Sequence, residues 1–320
     1  MTPLSGHDAV WRDWHEATGS ARLHHAWILA GLKGVGKGAF ARAAAAELVA
    51  EPGLPQPHWE VHPDIIVLDH LPVNDAEEEK RAEGKPWQKK RNITIDQVRR
   101  MQSRLVTRPT LGARRVVIID PADDMEKGAV NALLKSLEEP PAGTYFMLVA
   151  HKPGRLLPTI RSRCRILRFA PLDAAQIDRV LVDLAPQADP ATRAAAIAAA
   201  DGSPGAALDF VEQDLGKLHA IMLRLIVEGD DDLALRAALT EGIGARPGRE
   251  RQQAAIDLAR AVVAAELPNG DAARQARVIA VHGELTRLGG QATTFNFDPA
   301  LLVMEIGGLL ASLAMPREAA

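Results

Sequence analysis

Residues 31–40, GLKGVGKGAF, place glycines and a lysine in the spacing G-x-x-x-x-G-K. In such a loop the backbone amides surround phosphate oxygens, and the dipole of the following helix favours an anion. Gly31, Gly34 and Gly36 would permit the tight path, and Lys37 would reach the terminal phosphates of ATP or ADP. The next position ordinarily carries a serine or threonine whose hydroxyl binds magnesium. Here it is Gly38, which has no hydroxyl. One metal ligand is missing, and the amide nest is intact.

The partner of this loop should be an acidic strand end. The run RRVVIID, residues 114–120, supplies Asp120, a candidate to orient magnesium through water. The position after it would carry the glutamate that activates an attacking water, and it is Pro121. Asp123 and Asp124 follow closely, and both also read as a helix cap with first-turn charge. Departures in two separate parts of one machine point away from efficient hydrolysis.

Two further groups bear on chemistry. The segment TIRSRCRILRFAP, residues 159–171, carries Arg161, Arg163, Arg165 and Arg168. A guanidinium keeps its charge and pairs with phosphate oxygens in two-pronged fashion. Cys164 is the single cysteine, so an internal disulfide is excluded and a cysteine-based zinc site has nothing to build on. His58 and His62 do not complete a four-ligand set, so no zinc is expected.

The elements that must position these residues follow from pattern. AWILAG (26–31) reads as a strand leading into the loop, and the alanine-rich run 39–50 as the helix after it. HPDIIVLD (62–69), RRVVIID (114–120) and TYFMLVA (144–150) read as further strands. ITIDQVRRMQSRL (93–105) reads as a cap and helix with Asp96 in its first turn, and EKGAVNALLKSLEE ends as a helix at Pro140 and Pro141. Continuous apolar strands alternating with helices indicate a parallel sheet covered on both faces. The segment 75–91 is dense in charge without an apolar period and reads as a solvated loop. After Pro171 only helical patterns remain, with breaks at DGSPG (201–205), EGD (228–230), IGARPG (243–248) and LPNG (267–270).

The composition suits a soluble globular chain: 47% hydrophobic, 4% aromatic, net charge −3. No stretch approaches the roughly 18 apolar residues of a membrane span. The N-terminus has no basic segment followed by an apolar run. A cytoplasmic protein is expected.

Read together, IID ending at 120, NALLKSLEEPP (131–141) and RLLPTIRSRC (155–164) resemble the delta-prime family of bacterial DNA polymerase III clamp-loader subunits. RLHHAWILAG before the loop, HPD (62–64) and GSPGAAL (202–208) add to the likeness, which covers most of the first 210 residues. The resemblance implies an AAA+ domain over 1–171, a small helical lid over 172–208 and a helical collar over 209–320. It implies a largely non-catalytic member of a five-part assembly with delta and gamma or tau subunits. That assembly opens a sliding clamp and places it on primed DNA at the replisome.

In the family the S-R-C motif presents an arginine to the nucleotide of the neighbouring subunit, here Arg163. Lys135, Glu138 and Glu139 become candidates for intersubunit contacts, and polymerase activity belongs to the holoenzyme. Motor subunits carry an arginine where this chain has Gly205. The four-cysteine zinc module often found before HPD is missing from VAEPGLPQPHWEVHPD. KKR (89–91) is a weak candidate for DNA phosphates. Two alternatives stay open: an active gamma/tau-like motor, and a scaffold outside replication.

Overall fold

The computed structural model describes residues 6–20, 22–85, 87–245, 247–292 and 298–314. The break expected at IGARPG therefore lies partly outside the described residues, at Arg246, as does the start of the chain, residues 1–5. The chain divides into two compact units, Met1–Pro171 and Leu172–Ala320.

The first unit is built on five parallel strands: β1 (Ala26–Ala30), β2 (Ile65–Leu68), β3 (Arg115–Ile119), β4 (Thr144–Ala150) and β5 (Arg165–Arg168). Their order is β2-β3-β4-β1-β5. The register pairs Ile28 with Leu148 and Val117 with Phe146. Alternate residues of each strand face opposite layers, as the period of two requires. Trp27, Leu29, Val116, Ile118, Met147 and Val149 pack on one side with α1 (Asp8–Gly19) and α2 (Lys37–Val49). Ile28, Val117, Ile119, Phe146 and Leu148 pack on the other with α4 (Ile95–Leu105) and α5 (Lys127–Glu138). The α/β plan with a parallel sheet buried on both faces is thus the one expected.

The alanines of α2 have a clear use: Ala41, Ala44 and Ala45 are fully buried and let the helix lie close to the sheet. Thr94 and Gln97 close a capping box at the start of α4, satisfying end amides that the helix cannot. In α5, Leu133 and Leu137 enter the core, while Leu134 is only partly buried.

One expectation needs correction. Residues 75–91 are not all loop, because Asp75–Ala82 form helix α3. Asn74 caps it by accepting from the Glu77 amide at 3.0 Å, with acids in the first turn and Lys80 and Arg81 in the last. Capping and dipole complementarity sustain a short helix that has no apolar face. The basic segment 159–171, to which the sequence pattern assigned no element, is ordered. Together with Pro158 it forms the one-turn helix α6 (Pro158–Arg161) and the edge strand β5, whose outward residues Arg165, Ile166 and Arg168 are exposed.

The second unit is helical throughout its described residues: α7 (Ala174–Leu184), α8 (Pro190–Ala199), α9 (Pro204–Glu212), α10 (Gly216–Glu228), α11 (Ala234–Ile243), α12 (Arg249–Ala265), α13 (Ala272–Ala292) and α14 (Pro299–Ala311). One continuous apolar cluster includes Leu181, Leu225, Ile256, Leu285 and Leu310. Asp189, Ser203 and Asp298 cap helices whose first residue is proline. Gly205 lies in the first turn of α9.

Candidate functional site

The carboxyl ends of β1, β3 and β4 bring the glycine loop, Asp120 and His151 to one edge of the sheet. Ligands of open α/β sheets bind at this edge. Gly34 and Gly36 have φ of 77° and 105°, the left-handed region that glycine adopts without strain. Gly31 serves a different purpose: a Cβ there would come within 2.5 Å of the Phe169 carbonyl. The loop is also held from outside, where His7 Nε2 lies 2.7 Å from the Val35 carbonyl oxygen.

Lys37 opens α2 and is buried. Its Nζ donates to the carbonyls of Gly31 at 2.7 Å and Leu32 at 2.5 Å, so the ammonium folds back into its own loop. Burial lowers its pKa to about 8, while the Asp120 and Asp123 carboxylates oppose the fall.

Asp120 is tied to α2. Its Oδ2 lies 3.2 Å from Arg42 Nη1, and the Arg42 guanidinium sits 5.1 Å from the centre of the Trp59 ring. A Cβ on Gly38 would meet Asp120 Oδ2 at 2.5 Å and Arg42 Nη1 at 2.7 Å. The ion pair therefore fills the space that a hydroxyl-bearing residue at 38 would need. Asp123 is occupied as well, accepting from the His151 amide at 3.1 Å and the Lys152 amide at 2.8 Å. It shapes the turn after β4 with both oxygens. The His151 ring is buried enough, and near enough to Lys37, that its pKa is lowered and it stays neutral near pH 7.

Arg163 belongs to a second locus, the turn between α6 and β5. It is half-buried, its amide bonds the Ile160 carbonyl at 3.1 Å, and its Nη1 donates to the Thr159 carbonyl at 2.9 Å. Nη2 reaches Glu138 Oε1 at 2.6 Å. Lys135 and Glu139 are exposed on and just after the same helix α5. Burial pushes the Cys164 thiol up to about 12, so it carries no thiolate at neutral pH.

Reading the sequence missed Arg42 and Trp59. The available signal was spacing: Arg42 stands four residues after Gly38, one helical turn on, so the glycine leaves room for the longer side chain. His62 has both ring nitrogens engaged, by Gln56 Oε1 at 2.9 Å and the Asp64 amide at 3.1 Å. Among the described residues no group of three or more His, Cys, Asp or Glu is arranged to hold a metal, and no helix is long and apolar enough to cross a membrane.

Two delta-prime subunits of DNA polymerase III are similar to the chain. The one from Pseudomonas aeruginosa is 37% identical over 173 residues, 51% of this chain and 48% of that protein. The one from Escherichia coli is 31% identical over 236 residues, 69% of this chain and 65% of that protein. The matches therefore span between about half and two thirds of these relatives. The tau subunit from Salmonella typhimurium is 28% identical over 298 residues, 90% of this chain and 43% of that protein. A family model described as "DNA polymerase III, delta subunit" matches residues 6–173, a stretch that runs from the N-terminal turn through the glycine loop, Asp120 and the Arg163 turn. On that match the chain belongs to the DNA polymerase III, delta subunit family.

Proposed function

We propose that this chain is a delta-prime-type, non-motor subunit of a bacterial clamp loader. In this reading it joins delta and gamma or tau subunits, helps place the sliding clamp on primed DNA, and works at the replisome in the cytoplasm. Residues 1–171 form the AAA+ domain, 172–208 the lid and 209–320 the collar. Gly31, Gly34, Gly36, Lys37, Gly38 and Asp120 line a cradle for ATP or ADP that lacks hydrolytic equipment. Arg163 is the arginine finger offered to a neighbour's nucleotide.

The observation that carries the reading is a contrast between two loci of one domain. The chain's own loop lacks a hydroxyl at Gly38 and a carboxylate at Pro121, and Asp120 is paired with Arg42. The S-R-C turn meanwhile holds an arginine that is only half-buried. An arginine supplied in trans stabilises the charge that develops during phosphoryl transfer. The test is ATP turnover by a reconstituted loader carrying Arg163→Ala. We expect a loss of at least about tenfold with the complex still assembled. Wild-type turnover would remove the finger role.

A gamma/tau-like motor is the second reading, favoured by the tau match over most of the chain. ATP hydrolysis by the isolated chain, abolished by Lys37→Ala, would establish it in place of the first.

A further inference from the structure

We infer that the Arg42–Asp120 pair excludes divalent metal from the glycine loop, with the Arg42 guanidinium serving as a built-in cation in its place. This deepens the reading of the loop as a non-hydrolytic cradle and rests on it.

Magnesium at such a loop needs oxygen ligands: the hydroxyl after the lysine and the carboxylate at the strand end. The residues present do not fit it. Position 38 offers no side-chain oxygen, and neither does Pro121. Asp120, the one remaining candidate, already has a cation 3.2 Å from its Oδ2. The pair is mostly shielded, with the Arg42 side chain 25% and the Asp120 side chain 18% exposed. Screening by salt is weaker for such a pair than for one at the surface.

The guanidinium is also held from a second side. Trp59 lies 5.1 Å away, and a ring face attracts a cation at that range. Trp59 comes from the connection between α2 and β2, while Arg42 is in α2 and Asp120 follows β3, so three separate parts of the domain converge on one charge. A carboxylate can neutralise one cation well. A divalent ion would have to displace a guanidinium that Trp59 retains nearby, leaving two positive groups against one carboxylate. The crowding at Gly38 couples that position to the pair, both of whose side-chain ends must shift to admit a larger residue. A threonine there would strike both partners of the pair, at 2.5 Å and 2.7 Å from its Cβ.

The experiment uses the isolated chain with Mn2+ and ADP, read by the electron paramagnetic resonance of bound Mn2+, together with ADP titrations with and without Mg2+. For the wild type we expect no Mn2+ held at the loop and no gain in ADP affinity from Mg2+. Bound Mn2+ abolished by Asp120→Asn, or a tenfold gain from Mg2+, would overturn the inference. Gly38→Thr combined with Arg42→Ala should bind ADP at least tenfold more tightly with Mg2+ than without, and Gly38→Thr alone should not. Equal behaviour of the two variants would overturn it.

A variant that fails to fold is covered by a milder pair. Gly38→Ala should lower the melting temperature in the wild type by more than in an Arg42→Ala background, and equal drops would count against the pair. These readings concern the isolated chain, whereas the finger role is read in the assembled loader, so the two can fail separately.

Discussion

Arg163 and Glu138 form an ion pair at 2.6 Å, joining the S-R-C turn to the last turn of the helix that carries NALLKSLEEPP. Two residues 25 positions apart, one in each motif, thus meet in a single contact. With the Thr159 carbonyl taking Nη1, the guanidinium has a defined direction in the free chain.

The first prediction concerns Glu138. The pair is substantially exposed and worth no more than about 1 kcal/mol to stability, so Glu138→Ala should melt like the wild type. In a reconstituted loader it should slow ATP turnover severalfold by loosening Arg163. If Glu138 acts only through Arg163, the double variant with Arg163→Ala should be no slower than Arg163→Ala alone. Additive losses would assign Glu138 a separate role.

Asp64 should be the most sensitive polar position of the first unit. It is fully buried, accepts from the Thr110 and Leu111 amides at 2.7–2.8 Å, and pairs with Arg115 at 3.2 Å. Removing one partner of a buried pair costs about 3–5 kcal/mol, so Asp64→Ala should shift urea unfolding by that order. Burial alone would raise the carboxyl's pKa, but the two amides and Arg115 outweigh it and leave the pKa lowered. The stability from this group is therefore present above its unfolded value of about 3.9 and lost as pH falls through the lower folded value. Acid unfolding of Asp64→Asn should show a shallower pH dependence than the wild type.

Lys37 gives the same direction for the opposite reason, because the fold disfavours its charged form. Its folded pKa of about 8 lies below its unfolded one, so above that point the unfolded chain binds more protons. Stability should rise with pH through this interval, by about 1 kcal/mol near pH 9 from this group alone. Denaturant melts of the wild type and Lys37→Met across pH 7–10 should differ by such a slope, and parallel curves would contradict it.

Cys164 should resist alkylation. With its thiol pushed up to about 12 and its partly buried side chain packed against the apolar core, iodoacetamide at neutral pH should leave the folded chain unmodified. Addition of urea should make the same residue react, which mass spectrometry would record.

Four of the five strands were legible because they are largely continuous apolar runs, the pattern of strands buried on both faces. The glycine loop was legible because its backbone geometry demands glycine at fixed places. Helix α3 was not, since Glu77 to Arg81 show no apolar period and its support comes from Asn74 and the order of its charges. Strand β5 was hidden by its place at the sheet edge, where Arg165 and Arg168 face outward and only Leu167 reads as core. The Arg42–Asp120 pair spans 78 residues of sequence, and no local pattern announces a contact that the sheet order creates.

Gly31 has a consequence for how the loop came to keep its form. Its close approach to the Phe169 carbonyl, and the grip of His7 on Val35, tie the loop to the end of β5 and to the start of the chain. The curvature of the loop is therefore part of the architecture of the domain, upheld whether or not an anion occupies it. A lineage could shed the hydrolytic residues one at a time and still be held to the glycines by the cost of misfolding.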